Sequence, residues 1–156
     1  MTATLAEQVR SAAEPIDGIS ALVLFGSRAT GRARANSDLD VAILPTNDVD
    51  DRLRLQVRVA GELAHLAPDE RVDVVLLDEA PELLRHQVLS DGELLICRDE
   101  KAWKELRVRT MREHGDREHY RRILREGLKR RLTEGREDGR QGRAVESLGR
   151  LGRLSR

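Results

Sequence analysis

Along the first hundred residues, apolar positions alternate between helical spacing and short strand-like runs. Leu5, Val9 and Ala12 recur at helical spacing behind Thr4, a capping residue, and the breaker Glu14-Pro15-Ile16-Asp17-Gly18 ends this first helix. Ile19 to Phe25 is continuously apolar, as a buried strand is, and it runs into Gly26-Ser27, where the chain must turn sharply. Asp38 to Leu44 reads Asp, Leu, Asp, Val, Ala, Ile, Leu and stops at Pro45, which predicts a second strand with acids at its start. Val49, Leu53, Val57, Ala60, Leu63 and Ala64 form the stripe of a helix capped by Asn47 or Asp48. Arg71 to Leu77 is a third strand, apolar except for Asp73 near its start, and Ala80 to Ser90 is a helix carrying Leu83, Leu84, Val88 and Leu89. An Asp91-Gly92 turn leads to a last strand, Glu93 to Cys97. Strands interleaved with helices predict an α+β fold, α/β-like, with a small mixed sheet flanked by helices.

Past Asp99 the apolar anchors thin out. Trp103, Leu106 and Met111 form one set; Tyr120, Ile123, Leu124, Leu128 and Leu132 form another on a single helix face. Gly115-Asp116 between the sets reads as a C-cap followed by an N-cap, predicting two helices. From Gly135 to Arg156 the chain is rich in glycine and arginine, with Leu148, Leu151 and Leu154 its only leucines, and disorder is expected there. The organisation expected is a catalytic domain over 1–99, a helical extension over 100–134 and a tail over 135–156.

Composition narrows the partners. A chain of 156 residues has room for one modest core, and with 2% aromatic residues that core must rest on Leu, Val, Ile and Ala. The 28 basic and 28 acidic residues cancel, so no global field draws the molecule to nucleic acid or an anionic membrane, and any polyanion must be held locally. The arginine-rich tail holds no aromatic residue for base stacking and mixes in Glu137, Asp138 and Glu146, so no direct nucleic-acid contact is expected. Cys97 is alone, which excludes an intramolecular disulfide, and as a strand residue it is expected to be a small buried hydrophobe. No apolar run is long enough to span a bilayer, and Met1 to Arg10 lacks the apolar stretch of a secretory signal. The expected location is the cytoplasm. His65, His86, His114 and His119 are scattered without metal-ligand spacing, which argues against a zinc site.

The chemistry concentrates between Gly26 and Asp40. A strand ending in Gly-Ser before a helical turn leaves backbone N–H groups aimed outward, ready for a phosphate. Gly26 lets the backbone approach without a Cβ, and the Ser27 hydroxyl adds a donor. Arg28 either touches phosphate or sits in solvent on a short surface helix. Asp38 and Asp40, two apart on a strand, leave the same face and repel unless a cation lies between them. Oxygen ligands of this kind suit Mg²⁺, which takes its remaining ligands from water and substrate phosphates. Asp73, flanked by Val72, Val74 and Val75, can complete a two-metal site and accept the proton of an attacking hydroxyl. Asp78 is the alternative third acid, although its place before Glu79-Ala80-Pro81 suggests a helix cap. Ser37 shapes the turn before the acids.

Gly26-Ser27, the ten residues that follow, and Asp38-Leu39-Asp40 match the signature of the polymerase-β-like nucleotidyltransferase superfamily, and resemble most its minimal, MNT-type members. The resemblance covers about residues 5–99, and the stretch from Trp103 to Leu132 is similar to the tails of MNT-type antitoxins. It implies a polymerase-β-like core in which Gly26 and Ser27 bind the triphosphate and Asp38, Asp40 and Asp73 bind Mg²⁺, with two ions expected. It also implies transfer of AMP from ATP to a hydroxyl. MNT-type antitoxins modify a tyrosine of a HEPN-domain ribonuclease toxin, so the resemblance implies such a partner, a heteromeric complex and a type VII toxin–antitoxin pair. Two other readings remain: a small-molecule enzyme of the aminoglycoside type, disfavoured by a basic rather than acidic tail, and an antitoxin that neutralises by occlusion alone.

Overall fold

A capping box opens the first helix, α1 (Leu5–Ala13): the Thr4 hydroxyl accepts the Glu7 N–H at 3.2 Å, and the Glu7 carboxylate accepts the Thr4 N–H at 2.7 Å. The computed structural model describes residues 3–32, 37–68 and 71–151, with side chains as far as residue 130. After α1 come β1 (Ile19–Phe25), the single turn α2 (Gly26–Ala29), β2 (Leu39–Pro45), α3 (Arg52–Leu63), β3 (Val72–Leu76), α4 (Glu82–Asp91), β4 (Glu93–Cys97) and α5 (Glu100–Leu151). The sheet order is β3-β2-β1-β4. β1 runs antiparallel to both β2 and β4, whereas β2 and β3, joined through α3, are parallel. The mixed sheet agrees with the α+β expectation.

The apolar run of β1, interrupted only by the buried Ser20, follows from burial on both faces. Leu22 and Leu24 join a core with Val9 and Ala13 of α1 and Leu55, Val59 and Leu63 of α3. Ala21 and Val23, on the other face, meet Val88 of α4 and Leu106 of α5. Leu63 is fully buried, so Leu63→Ala is expected to destabilise the fold by about 2–5 kcal/mol, the usual cost of a large-to-small core change. A lower urea midpoint with an unchanged m-value is the expected result.

Several element boundaries differ from the sequence reading. Asp48 does not cap α3, because its carboxylate accepts the Thr46 hydroxyl at 2.5 Å; Asp51 is the cap, accepting the Arg54 N–H at 2.8 Å. Val49 accordingly packs against the core from the preceding loop. Asp78 is no helix cap either: it is paired with Arg52, and α4 starts after Pro81. Cys97 is exposed rather than buried, since it is the last residue of edge strand β4. Its thiol is held above the ordinary pKa, first by partial desolvation and then by the carboxylates of Glu100 and Asp99, which makes it a weak nucleophile.

By its internal contacts the chain divides into two units, Met1–His114 and Gly115–Arg156. α5 is nonetheless one helix, without the expected break at Gly115-Asp116. A single glycine costs a helix only about 1 kcal/mol, and i,i+4 pairs such as Lys104 with Glu100 and Arg109 with Glu113 support the ladder. The helix includes the backbone of 135–151, where disorder is the sequence expectation; residues 152–156 lie outside the described residues. Within the second unit, Tyr120, Ile123, Leu124 and Leu128 are exposed. Among the described residues no helix is long and apolar enough to cross a membrane.

Candidate active site

Strand pairing gathers the candidate residues at one end of the sheet. β1 ends at Phe25, whose ladder partner is Asp40 near the start of antiparallel β2, so Gly26 emerges beside that acid. In the parallel ladder the partner of Asp40 is Asp73. Leu39 and Val41 point into the core shared with α1 and α3, which turns Asp40 to the opposite face. Val72 and Val74 do the same for Asp73. The two carboxylates therefore share the sheet face on which α4 lies.

Gly26 is required here twice over. Its φ is +78°, in the left-handed region, and a Cβ built on it would lie 2.1 Å from Oδ2 of Asp40. The carboxylate thus rests directly against the backbone of the turn. Thr30 closes that turn, its N–H and its hydroxyl both reaching the Gly26 carbonyl at 3.3 Å, while the Arg32 N–H reaches the Ser27 carbonyl at 3.0 Å. With these carbonyls engaged on one side, the half-buried Ser27 faces a cavity of about 260 Å³ between α2 and α4.

Arg28 is neither purely solvent-exposed nor free to swing. Its Nε donates to the Ser37 carbonyl at 2.8 Å, which ties α2 to the segment just before the acids. Its positive charge also acts on Asp40. Asp38 accepts the Arg71 N–H at 3.3 Å and so links the starts of β2 and β3. The Asp40 carboxyl is raised above the ordinary carboxylate range, first by burial, then by the charges of Asp73 and Asp38, against the opposing pull of Arg28. Among the described residues no group of three or more acidic, histidine or cysteine side chains is placed to hold a metal ion by itself. A Mg²⁺ site does not require one, because that ion keeps waters and is completed by substrate phosphates.

Sequence reasoning singles out Gly26, Ser27, Asp38, Asp40 and Asp73, which the fold brings to one end of the sheet, and Asp78, which falls elsewhere, paired with Arg52. It missed Gln87 and Asp91 of α4, which line the cavity across from Ser27. Their signal, two polar residues four apart beside an apolar stripe, is that of any solvated helix face. The histidines are less scattered than their spacing suggests: the rings of His86 and His114 stack with centroids 3.7 Å apart, and Nδ1 of His114 lies 2.5 Å from the buried Glu82 carboxylate.

Residues 7–101 match the model of the family described as Polymerase beta, Nucleotidyltransferase. The protein adenylyltransferase MntA of Aphanizomenon flos-aquae (strain 2012/KM1/D3) is 35% identical over 85 residues, covering 47% of this chain and 54% of its own. The protein adenylyltransferase MntA of Shewanella oneidensis (strain MR-1) is 36% identical over 80 residues, covering 51% of this chain and 55% of its own. The chain spans about half the length of these curated relatives. Among solved structures, a crystal structure of a toxin–antitoxin with AMP-PNP is similar at 25% identity and a TM-score of 0.62, covering 80% of this chain and 98% of that one.

Proposed function

The chain belongs to the polymerase beta nucleotidyltransferase family, and from that premise we propose that it transfers AMP from ATP to a tyrosine hydroxyl of a HEPN-domain ribonuclease toxin, acting as the antitoxin of the pair. The observation that carries this reading is the convergence of the Gly26-Ser27 turn with Asp40 and Asp73 through strand register. It is supported by two relatives that are protein adenylyltransferases and by a similar toxin–antitoxin structure with AMP-PNP.

In this reading the turn backbone and the Ser27 hydroxyl hold the triphosphate, and Arg28 fixes the turn against the segment before the acids. Asp38, Asp40 and Asp73 would hold Mg²⁺, two ions when the substrate is bound, and the raised Asp40 carboxyl supports that reading, since oxygen-only donors crowded together favour a hard dication. The chemistry such an ion would supply when bound is neutralisation of charge on the phosphates and on the departing pyrophosphate. Asp73, exposed at the edge of the sheet, accepts the proton of the tyrosine hydroxyl. The phenolic oxygen forms its bond to the α-phosphorus, the bond from that phosphorus to the bridging oxygen breaks, and pyrophosphate leaves. The surface of α5 offers a place for the acceptor protein, since Tyr120, Ile123, Leu124 and Leu128 are exposed on it.

The test is mass spectrometry of the genomically adjacent HEPN protein after incubation with this chain, ATP and Mg²⁺. One or more AMP groups on tyrosine are expected; an unmodified cognate partner overturns the proposal. Chelation with EDTA is expected to abolish the adduct and excess Mg²⁺ to restore it. The exposed apolar residues of α5 also favour a second reading, neutralisation by occlusion alone. Neutralisation that survives Asp38→Asn with Asp40→Asn selects that reading.

A further inference from the structure

Helix α4 carries two polar side chains that the roles assigned above leave unused. Gln87 and Asp91 are four residues apart and therefore leave the same side of the helix, one turn from each other, and both are exposed. They line the cavity of about 260 Å³ together with Phe25, Ser27, Thr30 and Arg32, so that α4 supplies one wall and the segment from β1 through α2 the other. Because Phe25 is the ladder partner of Asp40, the cavity adjoins the acids and lies on their face of the sheet.

The two walls ask for different chemistry. The Arg32 guanidinium and the Ser27 hydroxyl suit phosphate oxygens. A carboxylate opposite them repels phosphate but accepts hydrogen bonds from neutral hydroxyls. A ligand that satisfies both walls carries an anion at one end and hydroxyls at the other. The cavity is smaller than the ~300–1,000 Å³ of a whole small-molecule site, so it takes one part of such a ligand. Asp91 is, moreover, poorly placed for stability. It is the last residue of α4, where the helix dipole disfavours an acid, and its carboxylate makes no hydrogen bond or ion pair among the described residues. An acid held against the dipole and left without a protein partner fits a residue whose partner is a ligand.

We propose that Asp91, assisted by Gln87, holds the ribose hydroxyls of the nucleoside triphosphate donor. The inference rests on the donor reading given above and adds the part of the site that distinguishes a nucleotide from its phosphates. Titration calorimetry with MgATP and with Mg²⁺ and inorganic tripolyphosphate tests it. Asp91→Ala is expected to weaken ATP binding about tenfold, the loss of one charge-assisted hydrogen bond. The same change leaves tripolyphosphate binding equal or tighter, because a negative charge has gone, and does not lower the melting temperature, because an acid has left a helix C-terminus. Gln87→Ala is expected to weaken ATP binding by a smaller factor, again without effect on tripolyphosphate. Unchanged ATP affinity in Asp91→Ala, or a parallel loss for ATP and tripolyphosphate, overturns the proposal and leaves the donor reading standing. A wild-type protein that binds no MgATP removes both.

Discussion

Asparagine in place of Asp40 is expected to cut adenylyl transfer about a thousandfold, the rate equivalent of several kcal/mol of lost metal-assisted stabilisation, while raising the melting temperature at neutral pH. The two effects have one cause. Burial and the charges of Asp73 and Asp38 raise the Asp40 carboxyl above its ordinary range, so its ionised form is less favourable in the folded chain than in the unfolded one. A folded-state pKa above the unfolded value means that ionisation opposes folding at neutral pH, and that this opposition fades as the carboxyl protonates. Asparagine removes the charge with little change of shape, so the gain should be present at pH 7 and absent below about pH 4, the ordinary aspartate range. Thermal unfolding at both pH values, with and without Mg²⁺, checks it: added Mg²⁺ should raise the melting temperature of the wild type more than that of the variant. Transfer within tenfold of wild type, or a melting temperature that falls at neutral pH, is incompatible with Asp40 as a crowded cation ligand.

Asp40 was visible in the sequence because it stands beside Asp38 at the head of an apolar strand, ten residues beyond Gly26-Ser27; a local pattern of that kind survives without any knowledge of pairing. Its surroundings were harder to read. Whether Asp73 or Asp78 lies beside it depends on the register between two strands separated by a helix, and the ladder sets Asp73 opposite Asp40. The cap of α3 was misplaced because Asp48, Asp50 and Asp51 crowd the same entry, and the competitor that takes Asp48 out of contention is a neighbouring hydroxyl, Thr46. Cys97 was misjudged for a related reason: an apolar run does not reveal that its strand lies at the sheet edge. Periodicity separates the strands from the helices well, since β1 to β4 and α1 all lie where the pattern puts them, give or take a residue or two. What it cannot register is a polar residue with a purpose. Gln87 and Asp91 look like any solvated face until the fold sets them across a cavity from Ser27.

Gly26→Ala and Gly31→Ala form a matched pair whose outcomes should diverge. Both glycines have φ in the left-handed region, +78° and +70°, so alanine at either position costs about 1–2 kcal/mol of backbone strain. At Gly31 no atom of the described residues lies within 4 Å of the added Cβ, and the change should end there: a modest loss of stability, with transfer within a few-fold of wild type. At Gly26 the new Cβ would meet Oδ2 of Asp40 at 2.1 Å and its Cγ at 2.9 Å, so either the carboxylate or the turn must move. Displacing a catalytic group by about 1 Å can cost on the order of a hundredfold in rate, and here the displaced group and the displaced turn are the two halves of the site. Transfer is therefore expected to fall at least about a hundredfold in Gly26→Ala, with a loss of stability larger than that of Gly31→Ala but still short of unfolding the chain. Kinetics of AMP incorporation, set beside denaturant melts of both variants, separate the effects. Equal losses of activity in the two would mean that backbone strain alone governs the turn, and that the contact between Gly26 and Asp40 does not set the geometry of the site.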